Sequence, residues 1–260
     1  LVSELYAGLT VKEKAYYENI KMMNKFKTDE AFNELRKPII KGQWKNHAMA
    51  ARATAFYNPY LNSIEFSAGI LQNIFFSKDR PNYLNFGAIG YVIGHEITHG
   101  FDDKGRQFDN EGNNKNWWDK KTDERFRQKA QCIIDQYNNY TVKEVGMNVN
   151  GINTQGENMA DNGGVKEAYR AYLAWVKDHA EEPKLPGLKY NQKQLFWLSV
   201  ANVWCGKTKP EALKLKVLSD PHSPGEFRII GPLSNALEFS EDFQCPLGSP
   251  MNPVHKCKVW

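Results

Sequence analysis

Charged and apolar residues alternate at helical spacing over residues 11–37, and Pro38 closes that stretch. The pattern predicts a helix there. Residues 53–66, ATAFYNPYLNSIEF, hold two short β-prone runs around Asn58-Pro59, which predicts a hairpin or an edge strand with its return. Residues 84–101, LNFGAIGYVIGHEITHGF, are mostly apolar and too long for a strand. A buried helix is expected there despite the glycines. Residues 105–116 are rich in Gly, Asn and Asp and predict a loop, residues 117–140 an amphipathic helix, and Gly151–Gly156 another loop. A third long helix is expected from about Glu157 to Lys177, before Pro183, Pro186 and Gly187 break the chain. Residues 191–205 and 210–218 predict two further helices, and 219–232 a Pro/Gly-rich loop with a short apolar run at Phe227–Ile230. The sum is mainly α with a small β element.

Composition narrows this picture modestly. The 260 residues can bury a large core in one big domain or two small ones. Hydrophobic residues at 41% and charged residues at 25% are an ordinary globular balance. The net charge of +4 is scattered, with no basic stripe of the kind nucleic acid requires. No run approaches the ~18 apolar residues of a membrane span. Residues 1–14 lack the basic start, apolar run and cleavage site of a signal peptide. A targeting segment is therefore expected upstream of an excised piece. Cys132, Cys205, Cys245 and Cys257 match no zinc knuckle; they suit two disulfides in an oxidising compartment or free buried thiols equally. Asn139-Tyr140-Thr141 is a glycosylation sequon, a pattern that also arises by chance.

The chemistry concentrates at His95-Glu96-Ile97-Thr98-His99, an H-E-x-x-H motif. Residues four apart share a helix face, so both imidazoles can reach one zinc ion. Glu96, one step round, can contact a water on the metal instead of the metal itself. Chance gives on the order of 0.01 such motifs in a chain of this composition, and an apolar helix is a costly place for unpartnered polar groups. The alternative is a pair of hydrogen-bonded core histidines.

A catalytic zinc needs a third protein ligand and an open position. No G-x-x-H follows His99, so a carboxylate from another helix is the expected ligand. Glu157 and Asp161 are four apart on one predicted helix: Glu157 can ligate while Asp161 orients a histidine. Taken alone, the pair also fits ordinary acidic bias at a helix N-terminus. Asp102, three residues after His99, can accept the far N–H of that ring, or be a plain acidic loop residue. His222 can donate to a developing oxyanion, and Arg228 can hold a substrate carbonyl or the histidine loop. By spacing alone both also fit an ordinary surface.

Several blocks in order resemble the neprilysin family of zinc endopeptidases, which includes endothelin-converting enzyme: Ala55-Phe56-Tyr57, FSAGILQNIFF at 66–76, GYVIGHEITHGFDD at 90–103, GINTQGENMADNGG at 151–164, Val203-Trp204-Cys205-Gly206, HSPGEFRIIG at 222–231 and CKVW at 257–260. The resemblance covers essentially the whole chain. It implies one thermolysin-like zincin (gluzincin) catalytic domain over residues 1–260, with one zinc ion per chain. His95, His99 and Glu157 would be the ligands, Glu96 the general base, and Asp102 and Asp161 braces for the histidines. His222 would stabilise the oxyanion and Arg228 contact the bound peptide. Ile70, Phe75, Val92, Val203 and Trp204 would form the apolar pocket for the residue after the scissile bond. Ala55 would pair with an extended peptide. Thr54 departs from the family's Asn at that position, so altered peptide clamping is expected.

The resemblance further implies a Cys132–Cys257 disulfide, and upstream partners for Cys205 and Cys245, which without them would pair with each other or stay free. It implies oligopeptide substrates cut on the amino side of apolar residues, and an upstream lobe that covers the site. The localisation implied is extracellular, in a membrane-anchored or secreted ectodomain, with no membrane contact by this segment. Two rivals are a peptide-binding scaffold that keeps the metal without turnover, hinted at by Thr54, and a structural zinc domain. The second would want cysteines near the ligand blocks, and none lies there.

Overall fold

The computed structural model describes residues 4, 6–38, 40, 42 and 50–260. The chain forms two compact units, Leu1–Asn46 and His47–Trp260. In the first, helix α1 spans Tyr16–Glu34 and buries none of its residues. A Lys25–Asp29 pair one turn apart supports it, and Tyr6 packs on Phe26.

The second unit opens with the expected hairpin. Strands β1 (Ala55–Asn58) and β2 (Ser63–Phe66) pair antiparallel, Ala55 opposite Phe66 and Asn58 opposite Ser63. Asn58 Oδ1 accepts from Tyr60 N, which folds the turn. The apolar segment is helical, as its composition predicts, but built in three pieces. Helix α2 (Asn82–Asn85) runs into a π-helical stretch, Phe86–Gly90, and then helix α3 (Tyr91–His99). Helix α4 (Lys120–Asn138) starts on an Asp119 cap, which accepts from Thr122 N. A second small hairpin follows, strand β3 (Thr141–Val142) with strand β4 (Met147–Asn148).

Two expected loops are helical. Gly151–Gly156 is the start of helix α5 (Gly151–His179). Its glycines read as breakers, but the Asn150 side chain caps the helix by accepting from Asn153 N, and Asn138 Oδ1 accepts Gly151 N. Glu157 therefore lies in the second turn, not at the start. Helices α6 (Gln192–Val203) and α7 (Pro210–Ser219) agree with expectation. Most of the loop expected at 219–232 lies instead in helix α8 (Gly225–Asn235). Pro224 supplies the extended residue that precedes the first turn, and Phe227, Arg228 and Gly231 turn inward. Helix α9 (Leu237–Asp242) completes the set.

Helix α5 stands between two cores. Val165, Ala168 and Tyr169 pack with Tyr83, Tyr91, Phe196 and Trp197, while Met159 packs with Phe126, Ile133, Tyr137 and Phe227. A Cys132–Cys257 disulfide joins α4 to the C-terminal segment, and Cys205 and Cys245 are free thiols. No helix among the described residues is long and apolar enough to cross a membrane.

Candidate active site

Glycine decides how α3 and α5 meet. A Cβ on Gly94 would sit 2.8 Å from Gly164 O, and one on Gly164 would sit 2.6 Å from His95 N. The backbones of the two helices therefore touch, which only glycine allows. That contact sets His95 and His99 of α3 against Glu157 and Asp161 of α5.

His95 Nε2 and His99 Nε2 are 2.9 Å apart, as two side chains four residues apart on a helix can be. Glu157 Oε2 lies 3.3 Å from the first and 3.6 Å from the second. Each ring's other nitrogen faces a carboxylate. His95 Nδ1 is 2.8 Å from Asp161 Oδ1, and His99 Nδ1 is 2.6 Å from Asp102 Oδ2. Asp102 is fixed in turn by Lys104 N and Gly105 N, which donate to its Oδ1 at 2.8 and 2.7 Å.

This arrangement fits a metal cation. With both Nδ1 atoms turned to carboxylates, the two Nε2 lone pairs point at one place. Glu157 Oε2 joins them there, buried and without a well-formed hydrogen bond. Three converging acceptors need a positive charge between them, and an N, N, O set suits zinc. Among the described residues, these three make up the one group of His, Cys, Asp or Glu ligand atoms close enough to share an ion, all within 4.8 Å. The electrostatics agree. Burial opposes charge on His95 and His99, yet Asp161, Asp102 and Glu157 outweigh it and push both imidazoles up, His99 to about 10. Burial likewise opposes charge on Glu157, and the two imidazoles hold its carboxyl well below the usual range. The carboxylates favour positive charge here even with the Arg228 guanidinium 3.6 Å from Glu157 Oε2.

Asp161 is anchored from several sides. Arg228 of α8 donates Nε to Asp161 Oδ2 and Nη2 to Asp161 Oδ1, at 2.8 and 2.7 Å. The Tyr91 hydroxyl donates to Oδ1 as well. Burial would raise this carboxyl, and the guanidinium beside it brings it down to about 2. Arg228 stacks on Trp204, its Cζ 3.8 Å from the ring centre, and Trp204 Nε1 donates to Tyr91 Oη at 3.2 Å.

A cleft of about 450 Å³ opens over the histidines. Its lining includes Thr54, Ala55, Phe56 and Tyr57 of the β1 segment, His95, Glu96 and His99 of α3, Glu157 of α5, and His222. Glu96 is buried, and that burial raises its carboxyl despite the opposing imidazoles. His222 Nε2 lies 3.3 Å from Glu157 Oε2. Its Nδ1 lies 2.7 Å from Asp220 Oδ1, which also accepts the His222 backbone N–H at 2.8 Å.

The structure thus gathers His95, Glu96, His99, Glu157, His222, Thr54 and Ala55 in one cleft, with Asp161 braced behind it. Arg228 is outside the cleft lining; its fork pairs with Asp161, and Nη2 also lies 3.6 Å from Glu157 Oε2. Ile70, Phe75, Val92, Val203 and Trp204 are also outside that lining; Val92, Val203 and Trp204 pack against the core. Sequence reading missed Asp220, Tyr91, Asn158 and Ser223. Asp220, two residues before His222, was the one with a local signal.

Two histidines one turn apart on a buried helix, met by a carboxylate from a second helix in a mainly helical fold, define a thermolysin-like zincin. The model of peptidase family M13 matches residues 54–259, and the chain belongs to that family, as the resemblance to neprilysin implied. Neprilysin-2 of Drosophila melanogaster is 56% identical over 255 residues, which cover 98% of this chain and 33% of that protein. A galactose-containing glycoprotein complex of Haemonchus superposes with a TM-score of 0.89 at 35% identity, over 100% of this chain and 43% of that one. The inhibitor-bound zinc metalloprotease ZMP1 of Mycobacterium tuberculosis gives 0.87 at 30% identity, over 97% and 39%. The chain spans about a third of the length of the curated relatives it matches.

Proposed function

We propose that this chain is the catalytic part of a zinc-dependent endopeptidase that cuts oligopeptides on the amino side of apolar residues. The observation that carries the reading is the convergence of His95 Nε2, His99 Nε2 and Glu157 Oε2 in a cleft that also holds Glu96 and His222. A zinc ion held by those three atoms, one per chain, would polarise the scissile carbonyl and make a water more acidic. Glu96 takes the proton from the attacking water and passes it to the leaving amine. Its burial keeps the carboxyl ready to carry that proton. His222 donates from Nε2 to the carbonyl oxygen as negative charge develops, with Asp220 holding the ring. Asp102 and Asp161 orient the two ligand imidazoles.

β1 pairs only with β2 among the described residues, so its other edge can add an extended peptide strand. Ala55 offers backbone groups there, and Thr54 a hydroxyl. Arg228 serves the site through Asp161. An apolar recess for the residue after the scissile bond would draw on Ile70, Phe75, Val92, Val203 and Trp204, reached by movement at the cleft wall. In the whole protein an upstream lobe would cover the cleft and admit only short peptides. The disulfide favours an extracellular setting, and Asn139, exposed at the end of α4, is open to glycosylation.

Cleavage of a quenched fluorescent peptide, with zinc, with chelator and with Glu96→Gln, tests the reading. Zinc-restorable cleavage that Glu96→Gln abolishes supports it. Bound zinc without cleavage would sink it for this segment alone and leave two readings, a missing upstream lobe or a peptide-binding scaffold, which restoring the lobe separates.

A further inference from the structure

Glu157 and His222 sit on different elements, one on α5 and one in the loop before α8, yet their side chains meet at 3.3 Å. The His222 side chain is 42% exposed, and an exposed side chain on a loop has rotamers to spare. Its place must be held from beneath. Two contacts do so, on either side of Glu157. Asn153 Nδ2, about one turn earlier on α5, donates to Asp220 O at 3.0 Å. The Ser223 hydroxyl donates to Asn158 Oδ1 at 2.7 Å.

The second contact has unusual surroundings. Asn158 follows Glu157 directly and Ser223 follows His222 directly, and both are 0% exposed. Each neighbour pair thus splits, with one member in the cleft and the other in the interior. Asn158 Nδ2 donates onward to Thr154 Oγ1 at 2.8 Å, and the Thr154 hydroxyl to Asn150 O at 2.9 Å. The chain of hydrogen bonds therefore ends on the cap of the helix that carries Glu157. Well-packed apolar side chains could fill such a place without a penalty for lost partners. Directional bonds fix relative position, which packing alone does less sharply.

We propose that Asn158 and Ser223 are positioning residues for His222: their hydrogen bond registers the 220–224 loop on α5 and keeps His222 Nε2 beside Glu157 Oε2. The inference rests on the zinc-peptidase reading for its catalytic consequence, though not for the geometry.

The test uses the zinc-loaded chain with Ser223→Ala, a small change at a closed position, and Asn158→Ala as a second variant. Steady-state kinetics are measured in the parent and in a His222→Ala background, and nitrogen NMR signals of the imidazoles are recorded. Ser223→Ala should lower kcat about 10- to 100-fold in the parent with KM within about twofold. It should cause no further loss in the His222→Ala background, because it acts through that ring. The His222 signals should move while those of His95 and His99 stay. Equal losses in both backgrounds, three imidazoles shifting together, or an unmoved His222 would overturn the proposal. If the parent shows no Glu96-dependent turnover, the peptidase reading fails on its own, and the NMR comparison still decides the positioning role.

Discussion

Asp161 and Arg228 face each other through two hydrogen bonds, of 2.7 and 2.8 Å, almost closed to solvent. The same carboxylate stands 2.8 Å from His95 Nδ1. One buried charge thus joins α8 to a ring of the candidate metal site. Breaking such a pair from one side leaves the other charge uncompensated, at a cost of about 3–5 kcal/mol.

Arg228→Met should therefore lower the melting temperature by roughly 10 °C or more. It should also weaken zinc binding by about 10- to 100-fold through the loosened Asp161. Thermal melts and a zinc titration check both. Unchanged zinc affinity would show that Asp161 holds its place without the guanidinium.

Glu96→Gln keeps shape and removes the proton carrier. Zinc binding should persist while turnover falls by roughly 10²–10⁴-fold. Metal content and peptide cleavage, measured on one preparation, separate the two effects. Loss of the metal along with activity would place Glu96 among the ligands instead.

Chelation should lower the melting temperature, and zinc should restore it. At about 100 times the dissociation constant the gain approaches 2.7 kcal/mol. In His99→Ala the zinc-dependent increment should shrink or vanish. An increment that survived in that variant would put the ion elsewhere.

Gly→Ala inside a helix ordinarily stabilises by up to about 1 kcal/mol. At Gly164 the sign should reverse, because the new methyl meets His95 N and Tyr91 O at 2.6 and 2.7 Å, both backbone atoms that cannot step aside. Denaturant melts should show a loss of more than about 2 kcal/mol, with weaker zinc binding. Gly90→Ala, within the helical stretch and with its nearest contact, Asn85 O, at 3.6 Å, is the control.

Reduction of the Cys132–Cys257 bond opens a loop with a sequence separation of 125 that contains all of α5. A loss of about 2–5 kcal/mol is expected. Melting with and without reductant, compared with Cys132→Ser, checks it.

What the sequence made legible follows from range. His95, Glu96, His99 and Asp102 lie within eight residues on or beside one helix, so local spacing carries their geometry. Glu157 and Asp161 were suggested by a one-turn interval, but their meeting with α3 depends on Gly94 and Gly164, which in sequence read only as helix weakeners. The same ambiguity hid the start of α5 and all of α8, where Gly151, Pro224 and Gly225 begin helices instead of ending them. Asn158 and Ser223 are 65 residues apart and signal nothing until folded together. Arg228 was read toward substrate or the His222 loop; its guanidinium pairs with Asp161, with Nη2 also 3.6 Å from Glu157 Oε2. Cys132–Cys257 came from resemblance and is present.

The touching backbones at Gly94 and Gly164 also bear on how such a protein can change. At those two positions neither helix has room for a side chain, so a substitution there moves a ligand-bearing helix instead of reshaping a pocket. Innovation in substrate preference is left to the rim: the β1 edge where Thr54 stands, the turn after Asp102, and the loop that presents His222.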